Sequence, residues 1–207
     1  PWLEQGTMAF QAAVAATDFL VAYPIVPPAQ WPEKTCILFS DGLRFDLGQR
    51  LKRNLESMEL TASVETRLTA LPSITSTSKP AVSPVFDAFS GGDRLDPVVR
   101  IGGANVNIDV LRKELELNGY QVLRGDDLGD PNGRAWTEIG DIDELGHIQP
   151  DKLPRLIDGE IRELAQRIRA LLEWGWERVI VVTDHGWLLL PSGLPKADLP
   201  QHLTEAE

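Results

Sequence analysis

Two runs of the chain end in the same way. Arg178-Val179-Ile180-Val181-Val182-Thr183 breaks into Asp184-His185-Gly186, and Thr35-Cys36-Ile37-Leu38-Phe39-Ser40 breaks into Asp41-Gly42. A short apolar run closed by turn residues reads as a strand buried on both faces, the kind found in parallel sheets. Open sheets of that kind place their sites just beyond the carboxyl ends of the strands. Two strands that each deliver a carboxylate onto a glycine turn therefore predict one shared metal site.

The segments between these strands set the fold class. A helix is expected over 7–22, ended by the proline-rich lead 24–32. Leu43, Leu47, Leu51 and Leu55 recur every four residues, which predicts an amphipathic helix over 43–58. Residues 60–68 read as a strand, 72–78 as a polar loop and 81–89 as a short helix, before Ser90-Gly91-Gly92-Asp93 interrupts the chain. A helix over 108–118 has Asn107 as N-cap and Gly119 as its stop, with a strand at 120–123 after it. An Asp-rich loop at 125–133 and a strand at 136–142 follow. Leu153, Leu156, Ile157, Leu164, Ile168, Leu171 and Leu172 mark a long amphipathic helix over 151–174, with Asp158/Arg162 and Glu163/Arg167 paired on its wet side. No internal repeat interrupts this alternation, which predicts an α/β domain: a mostly parallel sheet with helices on both faces, in three α/β/α layers. Residues 1–33 form a helix and lead, and 34–207 form the domain proper.

Bulk properties limit the function classes. Of the 207 residues 43% are hydrophobic and 25% charged, ordinary for a globular chain long enough to bury a sizeable core. A net charge of −11 with no Lys/Arg stripe excludes broad binding to nucleic-acid backbones, so an anionic substrate would need local metal cations. Cys36 is the single cysteine, which excludes an intrachain disulfide and fits a cytoplasmic setting. The apolar stretch 8–22 is not read as a targeting signal, because no Lys or Arg precedes Lys34 and Asp18 interrupts it. No run approaches the roughly 18 apolar residues that span a bilayer. Because the chain starts at Pro1 rather than Met, it is expected to be a piece of something longer.

Four clusters carry residues suited to chemistry: Asp41; the loop Leu71-Pro72-Ser73-Ile74-Thr75-Ser76-Thr77; Asp143 with His147; and Asp184-His185. Each has a plainer reading. Asp-Gly is a turn dipeptide, Ser76 or Thr77 serves equally as a helix N-cap, and Asp143-Glu144-Leu145-Gly146-His147 suits an exposed acidic loop. Asp184-His185 is the strongest signal, because charged groups directly after a buried strand need partners. Taken together, carboxylates and imidazoles are the ligands that hold Zn²⁺ or Mn²⁺ with positions left open. Two such ions about 3.5–4 Å apart clamp the attacking and leaving oxygens of a phosphoryl displacement.

The order of these motifs resembles the alkaline phosphatase superfamily, and within it the PglZ domain. The residues that carry the resemblance are Ile37-Leu38-Phe39-Ser40-Asp41-Gly42-Leu43-Arg44, Leu71-Pro72-Ser73-Ile74-Thr75, Asp143-x-x-Gly146-His147 and Val182-Thr183-Asp184-His185-Gly186-Trp187, over about residues 34–200. The resemblance implies a two-ion site: Asp41, Thr75, Asp184 and His185 on one ion, Asp143 and His147 on the other, and Thr75 as nucleophile. Zinc is the implied metal, with manganese as the alternative. It further implies hydrolysis of a phosphomonoester or phosphodiester, on a phosphorylated small molecule or an oligonucleotide. Partners would be other proteins of a bacterial phage-defence system such as BREX. Arg44 either touches the substrate phosphate or braces Asp41.

One feature departs from the family pattern. A further histidine normally serves the second ion, and after the Asp-His-Gly turn only His202 remains, in a polar stretch read as surface. The third ligand of that ion is either His202 or lies beyond Glu207, so at most one ion is expected to fill in these 207 residues. A non-catalytic interaction module of a defence complex is the alternative from another class. A sulfatase is disfavoured because a threonine at position 75 cannot become formylglycine, and a mutase because no sugar-phosphate cap is visible. Asp46 reads as a partner of the helix dipole, Asp126, Asp127 and Asp130 as solvated, and Trp174, Trp176 and Trp187 as packing.

Overall fold

The structure is a computed structural model that describes residues 2–16, 31–66, 70, 72–91, 96–140 and 142–189. Its elements are α1 (Trp2–Ala16), β1 (Thr35–Phe39), α2 (Phe45–Ser57), α3 (Thr75–Val82), a 3-10 turn (Phe86–Ala88), β2 (Phe89–Ser90) and β3 (Val98–Val99). These are followed by α4 (Ile108–Leu117), β4 (Tyr120–Leu123), β5 (Arg134–Glu138), α5 (Ile142–Ile148), α6 (Leu153–Trp174) and β6 (Arg178–Val182). Four strands form a sheet in the order β4-β5-β1-β6, parallel at every pairing, and β2 and β3 form a separate antiparallel ribbon. This is an α/β fold with a parallel sheet and helices around it.

β1 is buried at all five positions, as its unbroken apolar run requires. Alternate residues serve different clusters. Cys36 and Leu38 pack with Leu47, Leu51 and Leu55 of α2 and with Ile157, Ile161, Leu164 and Ile168 of α6. Ile37 and Phe39 pack instead with Leu111 and Leu115 of α4, Trp136 of β5 and Phe89. Phe39 stacks on Trp136 with ring centroids 5.7 Å apart. Burial pushes the Cys36 thiol up to about 12, against a weaker pull from Arg167, so it stays an inert protonated core residue.

Several expected boundaries change. α1 begins at Trp2, and the expected continuation over 17–22 lies outside the described residues. Residues 60–66 form no strand, and 67–68 are outside the described set. The expected polar loop at 72–78 becomes helical from Thr75 onward, with Ile74 as N-cap, so neither Ser76 nor Thr77 caps it. Serine and threonine resist helix interiors because they compete for backbone hydrogen bonds, yet burial of Ser78 and Pro80 overrides that preference here. Ser83 then closes α3 by donating to the Pro80 carbonyl at 2.7 Å. The strand expected at 136–142 runs from Arg134 to Glu138 instead, and Ile142 already begins α5. Asn107 and Gly119 act as expected: the Asn107 side-chain Oδ1 accepts from the amides of Asp109 and Val110, and Gly119 takes φ 79°.

The parallel neighbours β4 and β5 are joined by residues 124–133 with no helix, where such crossovers usually contain one. Side chains hold this loop in place. Trp176 and Trp174 donate to the carbonyls of Leu128 and Gly129 at 2.8 Å each, and Gln121 bonds both backbone groups of Asp130. Arg167 donates to the Asp127 carbonyl, which explains why it is buried rather than on the wet face with Glu163. Asp158 likewise pairs with Arg50 of α2 rather than with Arg162. Within the loop, Asp127 and Asp130 bond local turn groups.

Trp176→Phe keeps most of the ring volume and removes the donor to Leu128. The variant is expected to lose about 1–2 kcal/mol, the cost of leaving a half-buried carbonyl without its donor, seen as a lower urea midpoint by far-UV circular dichroism. An unchanged midpoint would show that the loop does not depend on this bond.

Candidate metal centre

The site forms where β1 and β6 end. Their register sets Phe39 opposite Val182, and the Ser40 amide extends the ladder by donating to the Val182 carbonyl at 3.0 Å. Asp41 and Asp184 therefore leave the sheet side by side. Three hydrogen bonds then join the two exits. The amide of Gly42 donates to Asp184 Oδ1 (3.3 Å), that of Leu43 to Thr183 Oγ1 (3.0 Å), and Trp187 Nε1 to the Gly42 carbonyl (2.8 Å). Gly42 has φ 63°, and a Cβ there would lie 3.1 Å from Asp143 Cβ and 3.3 Å from Trp187 Cδ1. Both backbone and space demand glycine at this turn.

His185 is the hub. Its Nε2 lies 3.5 Å from Asp41 Oδ1, 3.6 Å from Asp184 Oδ2 and 3.1 Å from Thr75 Oγ1. Its Nδ1 is 3.3 Å from the Gly186 carbonyl, which would accept a proton carried on Nδ1; a neutral ring in that tautomer would offer its Nε2 lone pair to a cation. Thr75 reaches this point as the first residue of α3. Asp143 enters from the first turn of α5, and ligand atoms of Asp41, Asp143 and His185 lie within 4.8 Å of one another.

Five of the sequence-predicted residues, Asp41, Thr75, Asp143, Asp184 and His185, thus meet in one cluster. Asp143, expected with His147 on a second ion, stands with Asp41 and His185. His147 is 80% exposed and reaches the cluster only through Asp143 Oδ2, at 3.2 Å. His202 lies outside the described residues. Arg44 forms a two-point ion pair with Asp46, lies over the Trp187 ring 4.1 Å from its centroid, and donates to the Trp187 carbonyl. It braces the residue that holds Gly42. Asp46, expected to offset the helix dipole, does sit in the first turn of α2 but spends its carboxylate on Arg44, which holds its pKa below the ordinary value.

Electrostatics mark the cluster as short of positive charge. Burial, then the neighbouring Asp184 and Asp143, push the Asp41 carboxyl up to about 6, while His185 and Lys79 pull it back. Asp41 Oδ1 is buried and accepts no hydrogen bond among the described residues. An oxygen-rich set with one imidazole and no thiolate matches Zn²⁺ or Mn²⁺, and a divalent cation would relieve both features.

Sequence reasoning passed over Thr183, Lys79 and Glu138, and gave Trp187 only a packing role. Thr183 directly precedes the Asp-His pair, and Lys79 follows Thr75 by one helical turn, so both positions were readable once α3 was known to be a helix. Comparison of the chain with protein-family models, with curated proteins and with solved structures finds no match.

The raised Asp41 value fixes a sign for the metal-free protein. A carboxyl whose folded pKa lies above its ordinary 3.8 contributes stability that is full below that value and lost as pH rises through about 6. Asp41→Asn is therefore expected to stabilise the metal-free protein at pH 7 by on the order of 1–3 kcal/mol and to flatten the stability curve between these pH values. Denaturant melts at pH 4 and pH 7 in the presence of a chelator test this. A variant less stable than the parent at pH 7 would contradict the repulsion.

Proposed function

We propose that the chain is a metal-dependent phosphohydrolase of PglZ type, with an alkaline-phosphatase-like three-layer α/β/α core and Thr75 as nucleophile. The observation that carries this reading is the placement of Thr75 Oγ1 at the N-terminus of α3, 3.1 Å from the Nε2 of His185, the imidazole that clusters with Asp41 beyond β1, Asp143 of α5 and Asp184 beyond β6. A threonine hydroxyl is a weak nucleophile, and a structural threonine has no need of such surroundings.

Asp41, Asp143, Asp184, His185 and the Thr75 hydroxyl would hold a cation, with His147 behind Asp143 as the donor for a second. Bound divalent metal, Zn²⁺ or Mn²⁺, would supply the positive charge that lowers the pKa of the hydroxyl and offsets charge on the phosphoryl oxygens. The Thr75 oxygen bonds to phosphorus as the bond to the ester oxygen breaks, and the proton given up by the hydroxyl passes through solvent to the departing alcohol. Water then cleaves the threonine–phosphorus ester and restores the hydroxyl, freeing phosphate from a monoester or a phosphomonoester from a diester. Asp184 has a second task, because its Oδ1 fixes the Gly42 amide and keeps the turn bearing Asp41 in register. The substrate is a phosphomonoester or phosphodiester, small molecule or oligonucleotide. The setting is a bacterial phage-defence system in the cytoplasm, with its other proteins as partners. No helix among the described residues is long and apolar enough to cross a membrane.

The test is Thr75→Ala in the full-length protein. Hydrolysis of a chromogenic phosphodiester or phosphomonoester with Mn²⁺ or Zn²⁺ is expected to fall by on the order of 10³-fold or more, while Mn²⁺ still binds with reduced affinity. Parental rates in that variant would remove Thr75 from the reaction.

A further inference from the structure

A cleft of about 220 Å³ opens at the metal centre, lined by Phe39, Asp41, Lys79, Glu138, Ile139 and Gly140. Lys79 is its one cation. It lies four residues after Thr75 on α3, so the two side chains share a helix face. Its side chain is 14% exposed, its Nζ sits 4.4 Å from the centre of the Phe39 ring, and it donates to Glu138 Oε2 at 2.8 Å.

Glu138 has more cationic and donor partners than it needs. Its Oε1 accepts from Trp136 Nε1 at 3.0 Å, and its Oε2 also lies 3.8 Å from Arg112 Nη2. Two cations thus share one carboxylate, which leaves the group with a net positive charge facing an otherwise acidic centre. Arg112 and Trp136 can keep Glu138 satisfied while the Lys79 ammonium turns to a ligand. A lysine held only for stability would need no second cation on its partner.

We infer that Lys79 is a substrate-contact residue: the cleft receives the anionic phosphoryl group, Lys79 Nζ binds one of its oxygens, and Glu138, Arg112 and Trp136 are positioning residues that hold the ammonium at the cleft wall. This rests on the phosphohydrolase reading and adds to it the protein's own cation for the phosphoryl group. The cleft is smaller than the roughly 300–1,000 Å³ typical of pockets that enclose a drug-sized ligand. It therefore encloses a phosphoryl head, and the remainder of the substrate lies outside.

The probe is inorganic phosphate, titrated calorimetrically into the full-length protein with Mn²⁺ present, alongside a separate Mn²⁺ titration. Lys79→Met retains the aliphatic stem over Phe39 and is expected to weaken phosphate binding at least about tenfold, with Mn²⁺ affinity not reduced. Lys79→Arg should restore most of the binding. If Lys79→Met does not fold because Glu138 is stranded, Lys79→Met/Glu138→Gln removes both charges and should show the same loss. Phosphate binding as in the parent, in a variant that still binds Mn²⁺, overturns the role of Lys79 and leaves the metal reading intact. Equal loss of phosphate and Mn²⁺ also overturns it, since that marks a purely structural lysine. A parent protein that binds Mn²⁺ but no phosphate overturns the inference alone, and one that binds neither overturns the phosphohydrolase reading together with it.

Discussion

The parallel pairing of β1 with β6 is the constraint on which the site depends. With Phe39 opposite Val182, the two strands end at the same level, and their next residues carry Asp41 and Asp184 to one place. Side-chain and backbone bonds then join the exits: Asp184 to the Gly42 amide, Thr183 to the Leu43 amide, Trp187 to the Gly42 carbonyl. A slip of one residue would send one carboxylate to the opposite face of the sheet, since strand side chains alternate. The same bonds let α2 begin at Phe45, and its Leu47, Leu51 and Leu55 then fix the sheet against α6. Core and site are thus built by one pairing.

That arrangement concentrates negative charge. Asp41, Asp143 and Asp184 converge on a single imidazole, and the strain is visible in the Asp41 carboxyl, raised by burial and by its two acidic neighbours. Folding stability would be better served by fewer carboxylates, so the cluster is a cost that a bound cation would offset. Lys79, paired with Glu138, only softens the effect. Arg44 is no remedy, because Asp46 already neutralises it and Trp187 covers it.

What the sequence made legible follows from which interactions are local. The β1 run, the leucine period of α2, the Asn107 cap and the apolar stripe of α6 all report their structure within a few residues, and each was found; β6 also forms, but at the edge of the sheet, where its residues are exposed or half-buried rather than buried on both faces. The convergence of Asp41, Asp184 and His185 was also readable, because a strand end has a known place in an open sheet. α3 was not: Thr75-Ser76-Thr77-Ser78 has the composition of a loop, and contacts distant in sequence, Thr75 with His185 and Lys79 with Glu138, help to place it. Arg167 was misplaced for the same reason, its partner being a carbonyl of the 124–133 crossover that no periodicity reveals. The separation of the ligands into two sets rested on family likeness, and the geometry gathers Asp143 with Asp41 and His185 while leaving His147 at the rim.

X-ray absorption at the zinc edge, recorded on protein loaded with one equivalent of Zn²⁺, tests this account most directly. It predicts a first shell of oxygen and nitrogen donors at about 2.0–2.2 Å with an imidazole contribution that is lost in His185→Ala and kept in His147→Ala. Zinc that fails to bind, or an imidazole signal that disappears with His147 and persists without His185, would contradict a metal centre built on the paired ends of β1 and β6.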